Sequence, residues 1–208
     1  MTRASFTATL SGALTALVVC LAPHATSAQD LPALFNVVDV ASDDVLNVRS
    51  APNGGAGIVG TLAYNAKGIE IVDRDGNWGL VNLGEGTGWT SLRYLDPVVD
   101  GFLPEHPRFS CSGTEPFWNL DVVQGQKATL SMPDWTERLF GAGMVRAASG
   151  RPYPFAMSGA AGTETLTVVM WPRMCSDGMS DRSYGLETTV VLTGNAPLIL
   201  SGCCSLVP

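Results

Sequence analysis

The sequence predicts an all-β protein of two units, a small barrel followed by a disulfide-linked antiparallel β-sheet or barrel. Three observations carry this. Short runs rich in β-branched and aromatic residues alternate apolar and polar positions at period two, and no long stretch holds a helical period beyond the amino-terminal segment. Turns built on glycine, proline and asparagine separate these runs at regular spacing. Every cysteine except Cys20 lies beyond residue 110, so the chain divides into a cysteine-free half and a cysteine-bearing half. The seam is "DPVVDGFLPEHPRF" (96–109), with three prolines and few periodic positions. The expected units are 36–97 and 108–208, with a linker at 98–107.

The amino-terminal segment reads as an export signal. Arg3 precedes the apolar run "ATLSGALTALVVCLA" (8–22), and small residues follow at Thr26 and Ala28. That order is a secretory signal peptide, residues 1–28, cut after Ala28. The run is shorter than the ~20 residues a spanning helix needs, and no later stretch is longer. Cys20 follows Leu17-Val18-Val19, where a lipid-anchoring signal wants a small residue in place of Val19, so lipidation is not expected. The expected location is the periplasm or the secreted space. The chain carries 12 Lys and Arg against 19 Asp and Glu, and loss of Arg3 makes the net charge of −7 one unit more negative. Without a basic run, this excludes nucleic acid as the natural partner and argues against anionic lipid heads.

Four cysteines outlast the signal: Cys111, Cys175, Cys203 and Cys204. An even number in an exported chain implies disulfides. A bridge between the neighbours Cys203 and Cys204 would be strained, so Cys111 and Cys175 are each expected to join one of them, with the partners left open. Zinc is the rival. No Cys-x-x-Cys occurs, and the single histidine after the signal, His106, is far from the cysteines in sequence.

In the first unit the β runs are "NVVDV", "VLNVR", "IVGTLAY", "KGIEIVD", "NWGLVNL" and "TGWTSL". In "VLNVR", Val45, Asn47 and Arg49 alternate against Leu46 and Val48. Turn signals fall at Pro52-Asn53-Gly54-Gly55, at Asn65 with Gly68, at Asp75-Gly76-Asn77 and at Gly84-Glu85-Gly86. Val48, Ile58, Leu62, Ile71, Val81 and Leu83 are the expected core. Trp78 and Trp89 offer rigid apolar faces, Tyr64 and Tyr94 add a hydroxyl, and Arg49 suits a carboxylate. These five are the candidate ligand-binding residues. The plainer alternatives are that Trp89 is core and that Arg49 pairs with Asp43 or Asp44.

"DVLNVRSAP" with "IVGTL", then "GNWGLVNL" and "TGWTSLRYL", resembles the bacterial SH3 domain over about residues 40–96. The resemblance implies an SH3-like barrel on the exported side of the cell. Such domains hold peptidoglycan stem or bridge peptides, or brace a neighbour.

The second unit has β runs at "FWNLDVV", "KATLSM", "ETLTVVMW", "ETTVVLTG" and "APLILSGCC", while "TERLFGAGMVRAASG" leaves open a short helix or an irregular excursion. Its "CSGTEPFWNL", "CSDGMSDRSY" and "SGCC" together resemble an exported bacterial domain family without an assigned activity. Members of that family are distantly similar to small exported β domains, including inhibitors of c-type lysozymes. By that likeness, "AASGRPYPF" (147–155) would place Ser149 and Tyr153 in a lysozyme cleft.

Chemistry finds little support. Asp177 and Asp181 in "DGMSD" are too few for a calcium loop. They are expected to bond backbone amides in tight turns, or one of them to pair with Arg182. Glu115 precedes Pro116 and is expected in a turn rather than as a buried acid. A nucleophilic site needs a base near its nucleophile, and His106 sits in the seam. No His-Glu-x-x-His or Gly-x-Ser-x-Gly string occurs. The expectation is a protein without cofactor, metal site or catalytic residues, binding peptidoglycan or an envelope protein. The alternatives are an inhibitor of c-type lysozyme and a peptidoglycan hydrolase targeted by its first domain.

Overall fold

In the computed structural model, which describes Met1 and residues 30–208, the chain is all-β apart from one short 3-10 turn. The expected signal peptide at 1–28 and Cys20 lie outside the described residues, apart from Met1. Among the described residues, no helix is long and apolar enough to cross a membrane.

The first unit packs two small antiparallel sheets around one core. Strands β1 (Ala33–Val37), β4 (Ile69–Ile71) and β8 (Leu95–Phe102) form one sheet in the order β4-β1-β8. Strands β2 (Val45–Arg49), β3 (Ile58–Ala63), β5 (Asp73–Asp75), β6 (Trp78–Leu83) and β7 (Gly86–Ser91) form the other, in the order β3-β2-β7-β6-β5. Of the expected core, Val48, Ile71 and Val81 are buried with Phe35, Val37, Leu46 and Leu95, and Leu62 and Leu83 pack against them. Ile58 departs from the expectation and is 55% exposed. It lies on β3, an edge strand with no second sheet over its outer face.

The second unit is a closed antiparallel barrel. Strands β9 (Arg108–Thr114), β10 (Phe117–Val123), β11 (Lys127–Ser131), β12 (Arg138–Ala142), β14 (Phe155–Ala161), β15 (Glu164–Cys175), β16 (Tyr184–Thr193) and β17 (Leu198–Leu206) follow one another around it. The short β13 (Arg146–Ala147) lies on β14. The stretch 136–150 is therefore extended rather than helical. Phe140 points into the core, while Gly159, where a side chain would crowd the Gly141 carbonyl and Phe140, lets β14 approach β12 closely enough to close the ring. Alternation fills the interior, as on β10, where Trp118, Leu120 and Val122 are buried between exposed neighbours.

Closure at the other seam pairs β17 with β9. Successive strand residues face opposite sides, and this resolves the two neighbouring cysteines. Cys204 points inward and bridges Cys111 directly across the seam, with Cα atoms 3.9 Å apart. Cys203 points outward and bridges Cys175, which a register shift after Pro172 carries over β16. Trp118 lies under the same seam, its indole N–H donating to the Ser201 carbonyl at 3.2 Å. Any side chain at Gly113 or Gly202 would strike that indole or the facing strand's backbone. The motifs around Cys111 and Cys203 are thus one packing unit.

The expected linker at 98–107 holds structure of its own. Strand β8 runs on to Phe102, and Leu103 and Leu34 are buried in the barrel's core cluster. His106 is buried, with Nε2 2.7 Å from the Val207 carbonyl and Nδ1 3.3 Å from that of Asp100. The Gln124 amide bonds the Pro104 and His106 carbonyls and accepts the Val145 N–H. These contacts make a packed joint.

Glu70 sits in that joint and accepts the Leu206 N–H at 2.8 Å. Burial raises its carboxyl from 4.5 to about 7, against the opposing pull of the Leu206 amide, the Ser205 hydroxyl and the Arg182 cation. The buried Ser205 hydroxyl has no hydrogen-bond partner among the described residues.

Two predictions follow from this architecture. Bridge Cys111–Cys204 closes 93 residues and Cys175–Cys203 closes 28, so chain entropy assigns them about 5 and about 4 kcal/mol. In urea unfolding, the Cys111→Ser/Cys204→Ser variant should be the less stable of the two double variants. For Glu70, the unfolded carboxyl ionises near 4.5 while the folded one keeps its proton to about 7. Its contribution is therefore complete below pH 4.5 and is lost as pH rises through 7, a fall of about 3 kcal/mol at ~1.4 kcal/mol per unit. Glu70→Gln should remove that slope from the measured stability.

Candidate functional site

A groove of about 600 Å³ runs along β2 on the first unit, within the size of small-ligand clefts, roughly 300–1,000 Å³. The period-two pattern positions its floor. Leu46 and Val48 turn into the core, while Val45, Asn47 and Arg49 turn outward to line the groove. Strand register places the walls. Val48 pairs with Thr90 and Trp78 pairs with Ser91, which brings the half-buried Trp78 level with Asn47. Beyond Ser91, the 3-10 turn Leu92–Tyr94 adds Arg93 and Tyr94, with the Arg93 guanidinium 5.5 Å from the Tyr94 ring centre.

Four charged residues line this groove: Asp39, Asp44, Arg49 and Arg93. None of them is in an ion pair among the described residues. Arg49 donates to the Ala56 carbonyl at 2.7 Å, which holds the guanidinium at the rim rather than against Asp43 or Asp44. Asp44 accepts the Val45 N–H at 2.8 Å through one oxygen. Asp39 has a left-handed backbone, φ 56°, which Asp tolerates better than most residues.

The structure thus brings together three of the five residues expected to bind ligand: Arg49, Trp78 and Tyr94. Trp89 is the register partner of Arg49 and lies half-buried beside the groove without lining it. Tyr64 is exposed past the end of the edge strand β3, outside the groove. Asp39, Asp44 and Arg93 were missed. They lie outside the regular strands, where alternation says nothing about direction.

This groove belongs to the segment that the comparisons recognise. Residues 44–96 match the model of the bacterial SH3 domain. No curated protein and no solved structure matches the chain. The SH3 match leaves out β1, yet Ala33, Phe35 and Val37 complete the SH3 core.

The "CSDGMSDRSY" loop binds the SH3 domain to the barrel. One Asp177 oxygen accepts the Met179 and Ser180 N–H groups, and the other accepts the Ser180 and Tyr184 hydroxyls. The Ser180 and Met179 amides hold this carboxyl at about 2, below its ordinary 3.8. Burial, then the Asp177 carboxylate, raises the Tyr184 hydroxyl. The loop so braced presents Ser183, which exchanges two hydrogen bonds with the Asn82 amide at 2.8 and 3.0 Å. Arg182 donates to the Gly84 carbonyl at 2.6 Å instead of pairing with an aspartate. Glu115 is exposed in the β9–β10 turn.

On the barrel, Ser149 is exposed at the Gly150 turn between β13 and β14. Tyr153 packs edge-on to Phe155 at 6.4 Å. It lines a slot of about 220 Å³ with Leu31, Pro32 and Phe102 of the first unit. Tyr153 remains 41% exposed there.

Because one carboxylate organises the docking loop, Asp177→Ala should free it. Hydrogen exchange should show loss of protection at the Met179 and Ser180 amides, with the barrel amides unchanged.

Proposed function

We propose that this is an exported, non-enzymatic cell-envelope binding protein whose SH3 domain recognises peptidoglycan peptide. One observation carries the reading: within the segment matching the bacterial SH3 domain, Trp78, Tyr94 and Arg49 converge on one open groove. Aromatic walls supply contact area at low entropic cost, and a guanidinium at the rim offers a two-pronged site for a peptide carboxylate. The two disulfides are compatible with a location outside the cytoplasm, and the proposed location is the periplasm or the secreted space.

In this reading the barrel is a rigid platform rather than a reaction centre. Its cysteines are oxidised, the Asp177 carboxylate is occupied by four donors, and His106 is buried in the joint. The packed joint holds the SH3 groove at a set orientation to the platform.

The test is co-sedimentation of the full protein with purified peptidoglycan. The wild type is expected to sediment, and Trp78→Ala to weaken binding about 10-fold or more with an unchanged circular dichroism spectrum. A wild type that stays in the supernatant would reject the proposal.

A further inference from the structure

The charge arrangement in the groove carries the reading one step further, to which peptide is chosen. Strand β2 begins after Asp44 and ends at Arg49, a span of about 16 Å at ~3.3 Å per residue. That is the reach of a short extended peptide. Asp44 stands at one end and the Arg49 guanidinium at the other, and Asp39, whose neighbour Val38 donates its N–H to the Tyr94 carbonyl, lines the same groove. Trp78 lies level with Asn47, between the two ends. Arg93, over Tyr94, adds a second guanidinium on the groove wall.

Opposite charges lining one groove without pairing are incomplete as they stand. Asp44 and Arg49 each spend part of their capacity on one backbone group and have no ion-pair partner among the described residues, and a ligand bearing both charges would satisfy them together. A purely anionic peptide would meet Arg49 and leave the carboxylates unmatched, and an uncharged one would match neither.

We propose that the groove recognises a short peptide carrying both a carboxylate and a free primary amine. It would thereby select wall peptides whose diamino side chain is not cross-linked. The carboxylate lies at Arg49, the backbone lies over Trp78, and the ammonium lies between Asp39 and Asp44. Cross-linking turns that amine into an amide, removing both the charge and a donor. This rests on the wall-binding reading and adds a discrimination that reading does not require.

Isothermal titration of the full protein tests it with three synthetic tetrapeptides of stem composition. One has its diamino side chain free, one has that amine acetylated, and one has its carboxyl terminus amidated. The free peptide is expected to bind at least 10-fold more tightly than either blocked one, and raising the salt concentration should narrow the gap. In the Asp39→Asn/Asp44→Asn variant, the free and acetylated peptides should bind within about 2-fold of each other. Asparagine keeps the acceptor for the Val45 N–H and tolerates the left-handed backbone at position 39, so the variant's fold is retained. Equal binding of the free and acetylated peptides by the wild type overturns the inference, as does binding of neither. If Trp78-dependent sedimentation with peptidoglycan persists in either case, wall binding stands and only the amine selection falls.

Discussion

The last strand of the barrel, β17, is the constraint on which the rest of the structure depends. It pairs with β16 on one side and with β9 on the other, and so turns a meander of strands into a ring. An open sheet would leave rows of unpaired amides at both margins, and closure removes them at this seam. Two adjacent cysteines on β17 use the strand's alternation, one bolting the seam from within and one tethering a loop from outside. The same strand ends by donating the Leu206 N–H to Glu70 of the SH3 domain, and the Val207 carbonyl then meets His106.

Fixing β17 therefore fixes the relation between the two units. The Cys175–Cys203 bridge anchors the loop that Asp177 braces, and that loop meets the SH3 domain through Arg182 and Ser183. The contact falls on β6, whose first residue, Trp78, lines the candidate groove and whose Asn82 makes the dock. Groove and dock share one strand about 20 Å long at ~3.3 Å per residue. The groove is thus held against a platform that covalent sulfur has already made rigid.

Residues that a sequence reading weighs for chemistry turn out to have structural employment. Asp177 satisfies four donors, and His106 links the joint to the Val207 carbonyl just past the end of β17. The buried acid of the joint is Glu70, which sits in an ordinary alternating run, "KGIEIVD", and carries no motif. Its raised proton affinity arises only from a neighbouring domain that covers it.

Local pattern by itself determined the all-β class and the inward and outward faces of β2 and β10, which put Arg49 on the outward face of its strand. Period-two alternation is a property of the backbone, so it survives whatever the strand pairs with. Disulfide formation was equally legible, because an even number of cysteines remains beyond the amino-terminal segment and no metal-ligand spacing competes for them. Only the tertiary structure decided which cysteine meets which, since partner choice depends on the β9–β17 register. It also turned the proline-rich seam into a packed joint, left Ile58 on an exposed edge, and set Tyr64 and Trp89 outside the groove. Each of these depends on what lies across a strand or beyond a domain boundary, and a neighbour distant in sequence leaves no mark on the local pattern it covers.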